Sequence, residues 1–484
     1  MERKISHLQP VAVWGNFEDI CMVPRPSKKE GKIIAFLEEF ARKNDLDFKK
    51  DEVGNILIIR NASPGFETKP VIILQTHMDM VCEKNSDVVH DFDNDTIKPY
   101  VDGEWVTAGV TTLGADCGVG MAAQLALLTD KDLKAGKIEC LFTVDEETGL
   151  TGAFAMKAGF LSGSILLNLD SEDEGTLYIG CAGGADTVAD FGYIRKEVPK
   201  NFFPVKIKIS GLMGGHSGGD IHEGRGNANK ILARFLFQSL NKYDLKLSSI
   251  SGGNLRNVIA REAEAVVLIP SDKKESLVVD FNIYKSDITN EIGRLEKELK
   301  MDLGTTDMPD FVIDEDCTKR LINSLFICPH GVQAMSLRMP GIVETSTNLA
   351  SVKMNDGNII QVTTSQRSEI ESAKFNICNI VESIFVNAGA VVRHSDGYPG
   401  WTPEPDSEIL KHTVNSYIKL FGNEPIVKSI HAGLECGLFK EKYPHLDMVS
   451  FGPTITGAHS PAERIEISTV EKFWRLLLDV VSNV

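Results

Sequence analysis

The sequence has no long hydrophobic run. None of its 484 residues lies in an uninterrupted apolar stretch of the ~20 that a membrane-spanning helix requires. The first residues, MERKISHLQP, lack the apolar segment of a secretory leader, so export is not expected. Paired cysteines are missing too. The nine present are an odd number with no Cys-x-x-Cys spacing. That excludes a zinc ribbon or a disulfide framework and predicts reduced thiols in a cytoplasmic protein. Positive charge is scarce: 51 Lys and Arg stand against 68 Asp and Glu, a formal net charge of −17. With no local basic patch, this balance disfavours nucleic acid and anionic membranes as partners. There is no repeat at solenoid periods and no low-complexity tract. What is present is ordinary globular composition, 42% hydrophobic and 25% charged. The length predicts roughly two to four domains at about 150 residues each.

Apolar periodicity separates two styles. In residues 30–44, Ile33, Ile34, Leu37 and Phe40 share one helical face. Short β-branched runs at 55–60, 71–75, 138–144 and 165–169 suit buried strands, and 118–128 is a buried helix rich in Ala and Leu. This alternation predicts an α/β layer with a largely parallel core. After Gly183-Gly184 the character changes. Residues 202–210, 263–269 and 352–363 alternate as half-buried strands do, with helices at 229–240 and 369–385. From Pro399 the first style returns, with a helix near 407–420 and a strand at 448–451. The expected organisation is an α/β domain formed by 1–185 and 397–484, interrupted by an α+β domain at 186–396.

Five segments place a metal-type ligand just beyond an apolar stretch. His77 and Asp79 follow VIILQT, Asp116 follows TTLGA, and Glu146 and Glu147 follow IECLFTVD. Asp170 follows ILLNL, and His459 lies eight residues after Phe451. In open α/β sheets ligands gather outside the carboxyl ends of the strands, so these segments can converge on one crevice. Strand alternation puts positions 77 and 79 on one face, where Asp79 can orient the His77 ring. Asp145, Glu146 and Glu147 at a buried strand end repel one another, and a nearby cation relieves that repulsion. Asp116, Glu147 and Asp170 carry about −3 and a bridging hydroxide a further −1, which two divalent cations neutralise. Imidazole with carboxylate suits zinc, and also cobalt or manganese. Paired ions call for a bridging carboxylate. Asp116, alone at a loop-to-helix junction, is the expected bridge, which leaves Glu146 as general base.

Taken in order, His77-Met78-Asp79, Gly114-Ala115-Asp116, Asp145-Glu146-Glu147-Thr148-Gly149, Asp170 and Thr456-Gly457-Ala458-His459-Ser460 form a recognisable set. They resemble the motifs of the zinc carboxypeptidase and aminoacylase family of co-catalytic metallopeptidases. Within that family, the long insertion and Gly433-Leu434-Glu435-Cys436-Gly437 are most similar to the bacterial aminoacyl-histidine dipeptidases (Xaa-His dipeptidases, carnosinase-like). The likeness spans essentially the whole chain. It implies a zinc-peptidase-like catalytic domain, its mostly parallel central sheet flanked by helices, and an inserted α+β lid. It also implies two divalent ions, Zn2+ with Co2+ or Mn2+ as substitutes. Asp116 would bridge them, His77 and Asp170 hold one, Glu147 and His459 hold the other, and Asp79 tune His77. In the lid, His216 of Gly214-Gly215-His216-Ser217 would polarise the scissile carbonyl, while Asn257 and Arg367 hold the substrate's carboxylate. Two copies would pair through the lid. Glu435 fits either a contact with the substrate's amino group or a structural hydrogen bond. The implied activity is hydrolysis of dipeptides, Xaa-His foremost with fairly broad specificity, by a hydroxide bridging two metal ions with Glu146 as the base.

Two competing readings are an N-acyl amino acid deacylase of the same fold and a non-catalytic metal- or peptide-binding module. Gly215-His216-Ser217-Gly218-Gly219 also fits Gly-x-Ser-x-Gly, but a nucleophilic serine needs a tight turn leading directly from strand to helix. Here the strand pattern ends near 210 and the next helical pattern begins near 227. Asp91-Phe92-Asp93-Asn94-Asp95 opens like a calcium loop yet lacks Gly at its sixth position and Glu at its twelfth, so it reads as a solvated turn. Cys117 reads as a small buried residue. Of the other histidines only His431, close before Glu435, draws attention.

Overall fold

The computed structural model describes residues 3–484. Packing divides the chain into two units. Unit 1 holds the residues up to Gly180, Pro403–Ser429 and Glu435–Val484, and unit 2 holds Cys181–Thr402 and Ile430–Leu434. The chain thus changes unit at 180/181 and 402/403, several residues from the expected 185/186 and 396/397. The short segment 430–434 joins unit 2 through hydrogen bonds such as Ala182 N–H to the Ile430 carbonyl (3.0 Å), which leave no periodic trace in the sequence.

Unit 1 is built on a mixed sheet in the order Asp47–Lys50, Ile56–Arg60, Ile138–Thr143, Ile72–His77, Ile165–Asn168, Asp447–Ser450, Thr176–Cys181, Ile426–Ile430. Its centre is parallel. Ile72–His77 runs parallel to Ile138–Thr143 and Ile165–Asn168, and Asp447–Ser450 runs parallel to Ile165–Asn168. Towards the margins, Ile56–Arg60 and Thr176–Cys181 pair antiparallel with their inner neighbours. Every residue of Ile72–His77 and Ile138–Thr143 is buried. Cover on both faces is why these strands read as continuous apolar runs rather than alternations. The helix Ala115–Thr129 packs close to the sheet: a Cβ at Gly120 would lie 2.7 Å from the Leu169 carbonyl. That close approach brings the helix start, with Asp116, to the carboxyl ends of the parallel strands.

Unit 2 is an antiparallel sheet of two halves with the same βαββαβ connectivity. One half runs Phe202–Ser210, helix Ala228–Leu240, Lys246–Gly252, Ala263–Pro270, helix Lys274–Ile292, Lys300–Thr305. The other runs Gly183–Gly192, helix Glu315–Ile327, Val343–Asn355, Ile359–Ser368, helix Glu371–Asn387, Val391–His394, with the first half inserted after its opening strand. In each half the strand order from the outer edge is fourth, first, third, second, and the two second strands meet antiparallel where Gly252 faces Val352. Residues 352–363, expected as one strand, are instead the two arms of a hairpin. Asp356-Gly357-Asn358 reverses the chain, with φ of +78° at Gly357 and +60° at Asn358, and Asn355 pairs with Ile359. Val352, Ile360 and Val362 are all buried and even-numbered, so the alternation passes through the turn without a break.

Candidate metal centre and lid residues

In unit 1, His77 ends its strand and is 1% exposed. Its Nε2 lies 3.1 Å from Asp116 Oδ1 and 3.2 Å from Asp170 Oδ1. The other Asp116 oxygen lies 3.2 Å from His459 Nε2, which is 3.0 Å from Glu147 Oε2. One carboxylate therefore stands between two imidazoles, each of which faces a second carboxylate. Asp79 lies past the strand end, so alternation no longer governs it. It still comes within 3.4 Å of His77 Nδ1, held by the Ser27 hydroxyl (2.7 Å) and the N–H groups of Glu146 (3.0 Å) and Glu147 (3.3 Å). Arg25, buried between Pro24 and Pro26, donates to the carbonyls of Met78, Asp79 and Gly114. It ties the His77 turn to the Asp116 turn, a task for which its sequence context carries no signal.

The three adjacent acids separate. Asp145 takes a left-handed conformation (φ +49°) and its carboxylate turns to the hydroxyls of Thr148 and Thr151, while Glu146 and Glu147 face the cluster. Ligand atoms of His77, Glu146 and Glu147, of Asp116, Glu147 and His459, and of His77, Cys117 and Asp170 each lie within 4.8 Å of one another. The Cys117 thiol donates to the Leu169 carbonyl (3.3 Å).

Electrostatics marks the same place. The Asp116 and Glu147 carboxylates push His459 up to about 11. Burial pushes Glu146 well above the usual carboxylate range, opposed by His77 and reinforced by Asp170 and Glu147. Burial likewise raises Asp170 to about 6. Here the imidazolium groups stand where cations are needed. Buried Glu147 Oε1 has no hydrogen-bond partner among the described residues, and Asp170 Oδ1 has only the His77 ring, 3.2 Å away, as an ion-pair partner. Buried carboxylate oxygens beside imidazole nitrogens fit divalent cations with mixed N and O ligation.

Glu435 lies fully buried in unit 1, accepting from Gln75 Nε2 (2.6 Å) and Thr143 Oγ1 (2.7 Å). Burial pushes it up to about 8. Of the two roles left open for it, the structural hydrogen bond is present, and its Oε1 has no partner among the described residues.

Unit 2 gathers different chemistry. His216 Nδ1 accepts the N–H groups of Gly218 (3.2 Å) and Gly219 (3.1 Å), which leaves the proton on Nε2. Burial and Arg367 push His216 down to about 4. Arg367 is buried, donating to the Tyr398 hydroxyl at 2.9 Å. His431, pushed down to about 3 by burial and Arg367, meets the Ser346 hydroxyl at 2.7 Å. Asn257 is exposed, and its carbonyl accepts the Ser217 N–H at 2.8 Å. Ser217 is buried in the glycine loop, well before the helix Ala228–Leu240, so no nucleophile turn exists there. The Asp91 segment is a surface turn, with Asp91 accepting from Asp93 N–H (3.0 Å).

Known proteins share this fold. The sequence matches Peptidase family M20/M25/M40 over residues 73–483, and the chain belongs to that family. It is 42% identical to the cytosol non-specific dipeptidase of Escherichia coli (strain K12) over 481 residues, 99% of each chain. The crystal structure of aminoacylhistidine dipeptidase from Vibrio alginolyticus superposes with a TM-score of 0.93 at 44% identity, covering 100% of this chain and 98% of that one. A tripeptidase from Staphylococcus aureus shares the fold at TM-score 0.56 and 16% identity, over 98% of each chain. The chain is thus a peptide-bond hydrolase.

Proposed function

We propose that the chain is a metal-dependent dipeptidase that favours dipeptides ending in histidine, with Glu146 as general base. Family membership and whole-length likeness to two dipeptidases carry the reaction class. The observation that carries the site is Asp116, with one oxygen 3.1 Å from His77 and the other 3.2 Å from His459. Asp116 would bridge two ions, His77 and Asp170 would hold one, and Glu147 and His459 the other. Zinc suits this donor set, with cobalt or manganese as substitutes. Bound there, two divalent cations lower the pKa of water and polarise the peptide carbonyl.

The chain's own groups do the rest. Burial among carboxylates raises the proton affinity of Glu146, which matches a base that takes a proton from the attacking water and returns it to the leaving amine. Asp79 keeps the His77 ring oriented. The Nε2–H of neutral His216 would donate to the oxyanion. Arg367, its fork aimed by Tyr398, and Asn257 would hold the substrate's carboxylate. Oε1 of Glu435 is the proposed acceptor for the substrate's ammonium group. A cytosolic location is supported by the relative's name and by free thiols such as Cys21, Cys117 and Cys140. No helix among the described residues is long and apolar enough to cross a membrane. The family resemblance extends the proposal to a homodimer paired through unit 2, which a solution mass of one chain would remove.

The test is turnover of alanyl-histidine against N-acetyl-histidine, before and after chelation. Alanyl-histidine should be cleaved, chelation should abolish cleavage, and added zinc should restore it. Cleavage of N-acetyl-histidine alone would favour the deacylase instead, and tight binding without release a non-catalytic module.

A further inference from the structure

Glu463 stands four residues past His459 and is 2% exposed, yet it faces no cation among its hydrogen-bond partners. Its Oε2 accepts the N–H groups of Leu113 (2.7 Å) and Gly114 (3.0 Å). Its Oε1 accepts those of Ala115 (2.7 Å) and Asp116 (3.4 Å). Four successive amides curl around one carboxylate because Gly114 is left-handed (φ +71°) and Asp116 leaves the helical region (ψ +113°). Arg25 grips the same turn from the other side through the Gly114 carbonyl. The main chain of Glu463 is pinned as well. Its N–H donates to the Ser460 carbonyl (3.0 Å), next to His459, and its own carbonyl accepts the Thr107 hydroxyl (2.9 Å). One residue thus joins the turn that carries Asp116 to the turn that carries His459.

We propose that Glu463 is a positioning residue that sets the bridging carboxylate of Asp116 between the His77 and His459 sites. The proposal rests on the dinuclear reading above. If the Asp116 turn rotated, one of its oxygens would leave its imidazole. The ion shared by Asp116, Glu147 and His459 depends on Glu463 twice, through Asp116 and through the His459 turn. The ion shared by His77 and Asp170 also rests on two strand ends, and depends on it less. A glutamine at 463 keeps the volume but turns an amide NH2 towards N–H donors, so up to two of the four bonds are lost.

The experiment is calorimetric titration of the full-length, chelator-stripped protein with Co2+, read together with the visible spectrum of the bound ions. Wild type should take up two ions. E463Q should keep the first at near wild-type affinity and bind the second about 10–100-fold more weakly, with the altered spectrum of a single occupied site. A merely structural cap would lower the melting temperature and leave both affinities in place, and that result overturns the proposal. If E463Q fails to fold, E463D, which keeps the charge but withdraws it by one methylene, should show the same selective loss. Folded E463D with two wild-type affinities would again overturn it. Wild type taking up only one ion would instead sink the dinuclear reading itself, and this proposal with it.

Discussion

Histidine is used in opposite ways in the two units. In unit 1, Asp116 and Glu147 push His459 up to about 11, so without metal the ring carries the positive charge that the carboxylates demand. In unit 2, burial and Arg367 push His216 down to about 4 and His431 to about 3, so both rings stay neutral and can only donate or accept a hydrogen bond. The backbone explains the contrast. Parallel strands end at one edge and deliver His77, Glu146, Glu147 and Asp170 to the same rim, where like charges accumulate. Antiparallel hairpins spread their loops over both ends of a sheet, and Arg367, near His216 and His431, repels further positive charge. A carboxylate-rich rim is suited to holding cations, and a neutral imidazole beside a guanidinium to meeting an anion or an oxyanion.

The largest expected effect falls on unit 1. Glu146→Gln should lower kcat by roughly 10²–10⁴, the usual weight of a general base, while elemental analysis still finds the metal. Full activity in that variant would remove Glu146 from its role. His216→Ala should cost about 10²–10³ in kcat, as loss of one oxyanion donor does, again with metal content unchanged. If metal is lost instead, the two units do not divide the work as described.

Acidification should separate the units. The folded-state pKa values of His216 (about 4), of His330 in unit 2, lowered to about 4 by burial and Lys230, and of His431 (about 3) lie below the usual value, so the stability they contribute is complete above about 6.5. It is lost as pH falls towards those values. His459 is shifted upwards, so in the metal-free protein its contribution is present at low pH and disappears only as pH rises through about 11. Hydrogen exchange on the metal-free protein between pH 7 and 4.5 should therefore show amides of unit 2 losing protection first. Earlier loss in unit 1 would contradict the shifts. The smallest effect is expected for Ser217→Ala. Its buried hydroxyl has no partner among the described residues, so its removal should not lower stability and should leave turnover unaltered. Abolished turnover would revive the serine nucleophile.

Much of the site is legible in the order of the amino acids. His77, Glu146, Glu147 and Asp170 each stand within a few residues of the end of a buried apolar run, where the abrupt change to ionisable side chains marks the rim of a sheet. The helix after Asp116 and the lone His459 in its glycine turn complete the set. Asp145 is less transparent, since adjacency in sequence suggests a shared task, whereas a left-handed residue sends its side chain to two threonines.

Apolar rhythm and residue type thus determined which strands are buried, that a second style of sheet interrupts the first, and which side chains could hold metal. These properties are local, because burial on one or both faces is imprinted every two to four residues. Only the tertiary structure decided that unit 2 is two like halves joined where Gly252 meets Val352, and that residues 352–363 fold back on themselves. The same holds for Arg25 and Glu463, which clamp the Asp116 turn. Glu463 reaches Leu113 across 350 positions and bonds to main-chain N–H groups, which every residue but proline possesses. A partner common to nearly all residues leaves no mark in composition or spacing, so folding alone could choose it.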